Sequence, residues 1–93
     1  MGKYRIDLTD LAKKQLKEHR KAGDKVTLAK IEKIFEELSE HPFEGSGQPE
    51  ALKYDLKGYW SRRINRKDRI IYEVIEQRVT VDVVSVKGHY GDK

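Results

Sequence analysis

Apolar residues recur along this chain with two different periods, and the change of period divides it. Tyr4, Ile6 and Leu8 alternate with Arg5 and Asp7, the pattern of a strand with one face buried. Thr9 then offers a side-chain oxygen to a helix N-terminus. From there to about Ala22, the residues Leu11, Ala12, Gln15, Leu16 and His19 fall with Leu8 on one side of a helix. Gly23 stops that helix, because a residue without Cβ adopts the C-cap conformation at little cost. Asp24 caps a second helix running to about Glu40, in which Leu28, Ile31, Ile34, Phe35 and Leu38 recur at helical spacing. Two amphipathic helices joined by one short turn make an antiparallel hairpin. Pro42 closes it, since the residue before a proline is pushed out of the helical region.

Beyond Pro42 the period shortens again. Ala51 to Leu56, Tyr59 to Ile64, Arg69 to Ile75 and Arg78 to Val86 read as strands, separated by Gly58, by the Asn65 to Asp68 turn and by a tight turn near Glu76-Gln77. The fold class predicted is α+β: a strand, a helical hairpin, then an antiparallel four-stranded meander with the helices on one face of the sheet. Alternation from Tyr59 to Ile64 puts Trp60, Arg62 and Ile64 on one face and Tyr59, Ser61 and Arg63 on the other, so the two arginines point oppositely. The stretch Arg69 to Ile75 is apolar on both faces and is predicted to be central. Arg69, at its start, is placed to reach the loop carrying Glu50.

A chain of 93 residues fits one core, so residues 1–93 are expected to form a single domain. With 37% hydrophobic and 39% charged residues, apolar material is scarce, and a second copy or a bound partner would add stability. There is no cysteine, which removes disulfides and thiolate metal sites. No apolar run has the length of a membrane span, no signal-peptide core precedes the first charges, and Ile6 stands where an N-myristoylation motif needs Ser or Thr. The expectation is a cytoplasmic protein with no membrane contact. The net charge of +4 favours an anionic partner. The cations cluster at Lys53, Lys57, Arg62, Arg63, Arg66, Lys67 and Arg69, whereas Lys13, Lys14, Lys17, Arg20 and Lys21 read as a solvated helix face.

The stretch from Pro42 to Tyr72 concentrates the candidate chemistry. Gly45 and Gly47 suit a loop whose backbone approaches a ligand closely. Glu50 follows Pro49, and the cluster of lysines and arginines downstream can neutralise phosphates. An RNA strand is cut without metal when its 2′-hydroxyl attacks the adjacent phosphorus. That route requires a base for the 2′-proton, an acid for the leaving oxygen, cations on the nonbridging oxygens and surfaces that splay the bases. Glu50, His89, Arg69 with Arg63 and Lys53, and Tyr90 are residues of the types needed. Each has a plainer meaning when taken alone: Glu50 a loop carboxylate pairing with Lys53, Arg69 a partner of Glu73, His89 a surface histidine, Trp60 and Tyr72 core residues, and Arg62 structural. His19 and His41 read as ordinary. No carboxylate cluster, thiol or His-Glu helix pair has metal-ligand spacing, and the glycines lack the Gly-Lys-Ser/Thr of a phosphate-binding loop, so neither metal nor cofactor is expected.

The motifs PFEG from Pro42, PE.LK from Pro49, L.G.WSRRI from Leu56, R.IY from Arg69 and the closing His89-Tyr90 resemble the YoeB/Txe family of the RelE/ParE toxin superfamily. The likeness is close over the C-terminal half and one of pattern only before it. It implies a RelE-like fold and a metal-independent endoribonuclease that cuts mRNA in the ribosomal A site, leaving 2′,3′-cyclic phosphate and 5′-hydroxyl ends. The matched positions are the catalytic Glu50, Arg69 and His89 with Tyr90 beside them, and Lys53 and Arg63 on the substrate. A YefM/Axe-like antitoxin and a homodimer are the partners implied. A gyrase-binding protein that cuts nothing and a basic RNA-binding module are the alternatives; the presence of both Glu50 and His89 weighs against the first. The family commonly ends at the His-Tyr pair, whereas Gly91-Asp92-Lys93 follow here and remove a terminal carboxylate from beside Tyr90.

Overall fold

The computed structural model describes residues 3–88. His89, Tyr90 and the Gly91-Asp92-Lys93 tail therefore lie outside the described residues. Strand β1 (Arg5–Leu8) leads into helix α1 (Asp10–Ala22), and a two-residue link leads into helix α2 (Lys25–Glu40). The caps are those the sequence indicates. Thr9 Oγ1 accepts from Ala12 N, Gly23 takes φ 74 and donates back to the last turn of α1, and Asp24 accepts from Val26 N and Thr27 N at the start of α2. Four strands follow: β2 (Glu50–Ala51), β3 (Trp60–Arg63), β4 (Arg69–Ile75) and β5 (Thr80–Ser85).

The sheet order is β1-β5-β4-β3-β2, so β4 is central. The strands β2 to β5 form the antiparallel meander, and β1 joins parallel to β5, opposite Thr80 to Val83. Ile70 and Tyr72 of β4 with Val81 and Val83 of β5 meet Ala12 of α1 and Ile31, Ile34 and Leu38 of α2 in one buried cluster. Strand alternation places these sheet residues on the helix-covered face. Leu11, which shares the apolar stripe of α1 in sequence, is 50% exposed at the margin of that stripe.

Strands β1, β3 and β5 are shorter by a residue or two at their ends than the sequence-based expectation, and the largest departures are in β2 and at the start of β5. The pairing expected over Ala51 to Leu56 is confined to Glu50–Ala51, and Tyr54–Leu56 form a 3₁₀ turn instead. Leu52 N still bonds Tyr59 O, but Leu56 N then turns back to Lys53 O and Lys57 N to Tyr54 O, which takes those donors out of the ladder. At the other end of the meander, a second 3₁₀ turn (Glu76–Arg78) and Val79 at φ 47 make the reversal, so β5 begins at Thr80 rather than Arg78. Val86 leaves the strand and is held by α1, its N–H donating to Gln15 Oε1 at 2.8 Å and its carbonyl bonded to His19 Nε2 at 2.8 Å. His19 is thus a buried structural residue. Among the described residues, no helix is long and apolar enough to cross a membrane.

Candidate active site on the open face of the sheet

Arg62 and Arg63, neighbours on β3, go to opposite faces, as alternation requires. Arg62 is fully buried on the helix side and Arg63 is exposed. A buried guanidinium has five N–H groups to satisfy, and here the fold bends a loop around it. Arg62 donates from Nη1 to Glu37 Oε1 (2.8 Å) and Ser46 O (3.5 Å), from Nη2 to His41 O (3.0 Å) and Glu44 O (2.8 Å), and from Nε to Tyr72 OH (3.2 Å). Tyr72 OH in turn donates to Pro42 O. Glu37 receives Ser46 N and Ser46 Oγ on its two oxygens. Burial works against the Glu37 charge, yet the Ser46 donors and the Arg62 guanidinium outweigh it and hold the carboxyl below its usual range. Burial also raises the Tyr72 hydroxyl, against the lowering influence of Arg62.

This network changes the meaning of the loop glycines. A Cβ on Gly45 would lie 2.5 Å from Glu37 Oε1, and one on Gly47, at φ +83, would lie 2.7 Å from Arg63 O. The close approach is to the protein's own α2 and β3, with Arg63 N donating to Gly47 O at 2.7 Å. The expectation that these glycines bring the backbone to a ligand is replaced by a packing role. The loop also places Phe43 against Trp60, ring centroids 5.1 Å apart, which makes Trp60 a packed residue flanking the core.

The other face of β3 is where the candidate residues gather. Glu50 stands opposite Ser61, and Arg63 opposite Arg69, so all four side chains share the face that the helices leave open. Arg69 Nη1 donates to Ser61 Oγ at 3.2 Å and lies 3.7 Å from Glu50 Oε1. Arg69 is 16% exposed and Glu50 55% exposed in their side chains, so the carboxylate is reachable from solvent while the guanidinium is seated. Lys53 lines the same cleft as Glu50, about 220 Å³ in volume, together with Leu52 and Tyr54. Arg63 lines a separate cleft of about 240 Å³ with Lys30, Gly47 and Gln48. The structure thus brings Glu50 to Arg69, puts Lys53 in the cleft of Glu50, and sets Arg63 beside Arg69 in register but opening toward α2.

His89 and Tyr90, expected at this site, are outside the described residues. The chain leading to them is anchored next to Arg69. Gly88 N donates to Asp68 Oδ1 at 3.0 Å, and Gly88 O accepts from Arg69 N at 2.9 Å. Asp68 is itself buried, with Asn65 Nδ2 donating to its second oxygen. Ser61 and Asp68 were not singled out by sequence. Ser61 was detectable in principle, since it shares the face of Arg63 by alternation, but its bond to Arg69 depends on the pairing of β3 with β4. Among the described residues, no three His, Cys, Asp or Glu side chains are grouped to hold a metal ion. An accessible carboxylate held near a seated guanidinium can accept a proton beside an anion that the guanidinium neutralises.

A family model described as YoeB-like toxin of bacterial type II toxin-antitoxin system matches residues 12–90. Among curated proteins, a toxin YoeB of Synechocystis is 39% identical over 68 residues, 73% of this chain and 77% of the relative. The toxin RelK of Mycobacterium tuberculosis is 38% identical over 69 residues, 74% and 79% of the two chains. Among solved structures, a YoeB/ParE toxin from Agrobacterium tumefaciens superposes with a TM-score of 0.83 at 31% identity, covering 92% of this chain and 99% of its own. The toxin in a heterotetrameric YoeB-YefM complex from Staphylococcus aureus gives 0.78 at 33% identity, covering 94% and 98%.

Proposed function

Because this chain belongs to the YoeB-like toxins of bacterial type II toxin-antitoxin systems, we propose that it is a metal-independent endoribonuclease that cuts mRNA on the ribosome. The observation that carries this reading is the accessible Glu50 carboxylate 3.7 Å from an Arg69 that Ser61 holds in place. Glu50 takes the proton of the 2′-hydroxyl, and the 2′-oxygen attacks the adjacent phosphorus. As the bond from phosphorus to the 5′-oxygen breaks, His89 gives that oxygen a proton, leaving a 2′,3′-cyclic phosphate and a 5′-hydroxyl. Arg69, with Lys53 and Arg63, neutralises the nonbridging oxygens, and Tyr90 acts beside His89. Such a small site depends on the ribosomal A site to align its substrate.

The same cationic face suits an acidic segment of an antitoxin, which would occupy the phosphate positions and silence the toxin in the cytoplasm. The Staphylococcus aureus neighbours, one described as a YoeB-YefM complex and another as a YoeB dimer, support a YefM-like antitoxin and a homodimer as the partners of this chain.

Mapping new 5′-hydroxyl ends on translated message tests the reading. Ends that appear only with ribosomes are expected, and their absence would leave a toxin that acts by binding. The acid and base are separated by a substrate whose 5′-leaving oxygen is replaced by sulfur, which departs without a proton. That substrate should rescue His89→Gln and leave Glu50→Gln slow; equal rescue of both, or of neither, would sink the assignment.

A further inference from the structure

Tyr54 is held out of the fold at a backbone cost. The residue is 91% exposed, more than any other large apolar residue described. Its φ is 58, in the left-handed region that bulky residues rarely occupy. Among the described residues, its ring makes no hydrogen bond, ion pair or ring contact. The segment beneath it is nonetheless well fixed. Leu52, 5% exposed, donates to Tyr59 O at 2.9 Å, and the bonds Leu56 N to Lys53 O, Lys57 N to Tyr54 O and Tyr59 N to Leu56 O close the turn at 3.0 to 3.1 Å. A ring presented from a rigid turn, without contributing to packing, suits a ligand that stacks.

The surroundings name the ligand. Tyr54 lines the cleft that also contains Glu50 and Lys53, and Lys53 and Lys57 on either side of it in sequence are exposed cations. Aromatic rings interleaved with cations bind single-stranded nucleic acid, because every base has a π-face and every nucleotide a phosphate. We propose that Tyr54 is a stacking platform for a base of the RNA strand beside the scissile phosphate, the phosphate that Lys53 helps to neutralise. This rests on the nuclease reading. An exposed tyrosine also suits a protein interface, but this one shares its cleft with the carboxylate and lysine assigned to the reacting nucleotide. Stacking is tolerant of base identity, so Tyr54 governs how firmly message is held rather than which codon is cut.

The test is cleavage of message on programmed ribosomes by the wild type and by Tyr54→Ala, Tyr54→Leu, Tyr54→Phe and Tyr54→Gly, with thermal unfolding of each. At sub-saturating toxin, Tyr54→Ala and Tyr54→Leu should cut about ten-fold more slowly at every codon, and the deficit should shrink at saturation. Tyr54→Phe should retain cleavage, because the ring and not the hydroxyl stacks. Tyr54→Gly should unfold at a higher temperature yet cut as poorly as Tyr54→Ala, since glycine relieves the backbone and removes the platform. If the wild type cuts and Tyr54→Ala and Tyr54→Leu match it, the platform is wrong and the nuclease stands. Normal cutting with weakened self-association or antitoxin binding would likewise overturn it, assigning the ring to a protein interface. A wild type that leaves no 5′-hydroxyl ends would remove the nuclease reading and the platform together.

Discussion

Two arginine–glutamate pairs lie on opposite faces of the sheet and differ in almost every respect that matters. Arg62 and Glu37 are 2.8 Å apart with side chains 0% and 18% exposed, and Arg69 and Glu50 are 3.7 Å apart with side chains 16% and 55% exposed. In the first pair, Arg62 donates five bonds and both Glu37 oxygens are engaged, so every charge is consumed in holding the loop to β3. In the second, the carboxylate stays in water and the guanidinium is steadied by a neutral hydroxyl. Identical chemistry therefore serves architecture when its donors and acceptors are saturated, and leaves a carboxylate reachable from solvent when they are not.

The comparison breaks most visibly at Arg62. Arg62→Ala leaves the half-buried Glu37 without its cation and strips the buried loop contacts of their donor, so urea unfolding should show a loss of about 3 kcal/mol. Cleavage should fall with the fold. Arg69→Lys should do the reverse, keeping stability within about 1 kcal/mol of wild type because the lysine keeps the positive charge beside a carboxylate that is 55% exposed. A point-charge ammonium cannot reproduce a two-pronged contact with phosphate, so single-turnover cleavage should lose about 2 to 4 kcal/mol of barrier lowering. Wild-type-like rates would remove Arg69 from the site.

Gly47→Ala sharpens the contrast at a smaller scale. Its new methyl would press on Arg63 O from a left-handed backbone, and the stability lost should be about 1 to 3 kcal/mol. The smallest effect is that of acid on Glu37. Its folded carboxyl titrates below the ordinary value of 4.5, so its stabilisation is complete above that pH and is lost as pH falls through the lower folded value. Glu37→Gln should start less stable than wild type and lose less on acidification, as read from urea midpoints across that window. Parallel acid decline in both proteins would assign the acid sensitivity elsewhere.

Much of the fold was legible because its determinants are local. Thr9, Gly23 and Asp24 punctuate the helices through bonds made within a few residues, and β4 spans Arg69–Ile75 as its apolar run indicated. The short β2 was misread over Ala51 to Leu56 because a strand and a 3₁₀ turn place Leu52 and Leu56 equally well in a pattern of apolar positions. For the candidate site, residue type, motif and face singled out Glu50, Lys53, Arg63 and Arg69, of which the structure brings Glu50 to Arg69, puts Lys53 in the cleft of Glu50 and sets Arg63 in another. Ser61 could not be assigned to Arg69 without knowing the register of two strands.

The sequence by itself determined the two helices, the centrality of β4 and the opposite facing of Arg62 and Arg63, because periodicity and capping are properties of neighbouring residues. Only the tertiary structure decided which arginine is saturated, whom the loop glycines approach, and that β1 closes the sheet beside β5 in parallel. Those outcomes join residues far apart in the chain, such as Glu37 with Arg62, Glu50 with Arg69 and Arg5 with Thr80. No local pattern carries that information, since the partners meet only when helix and sheet pack together and water is expelled between them.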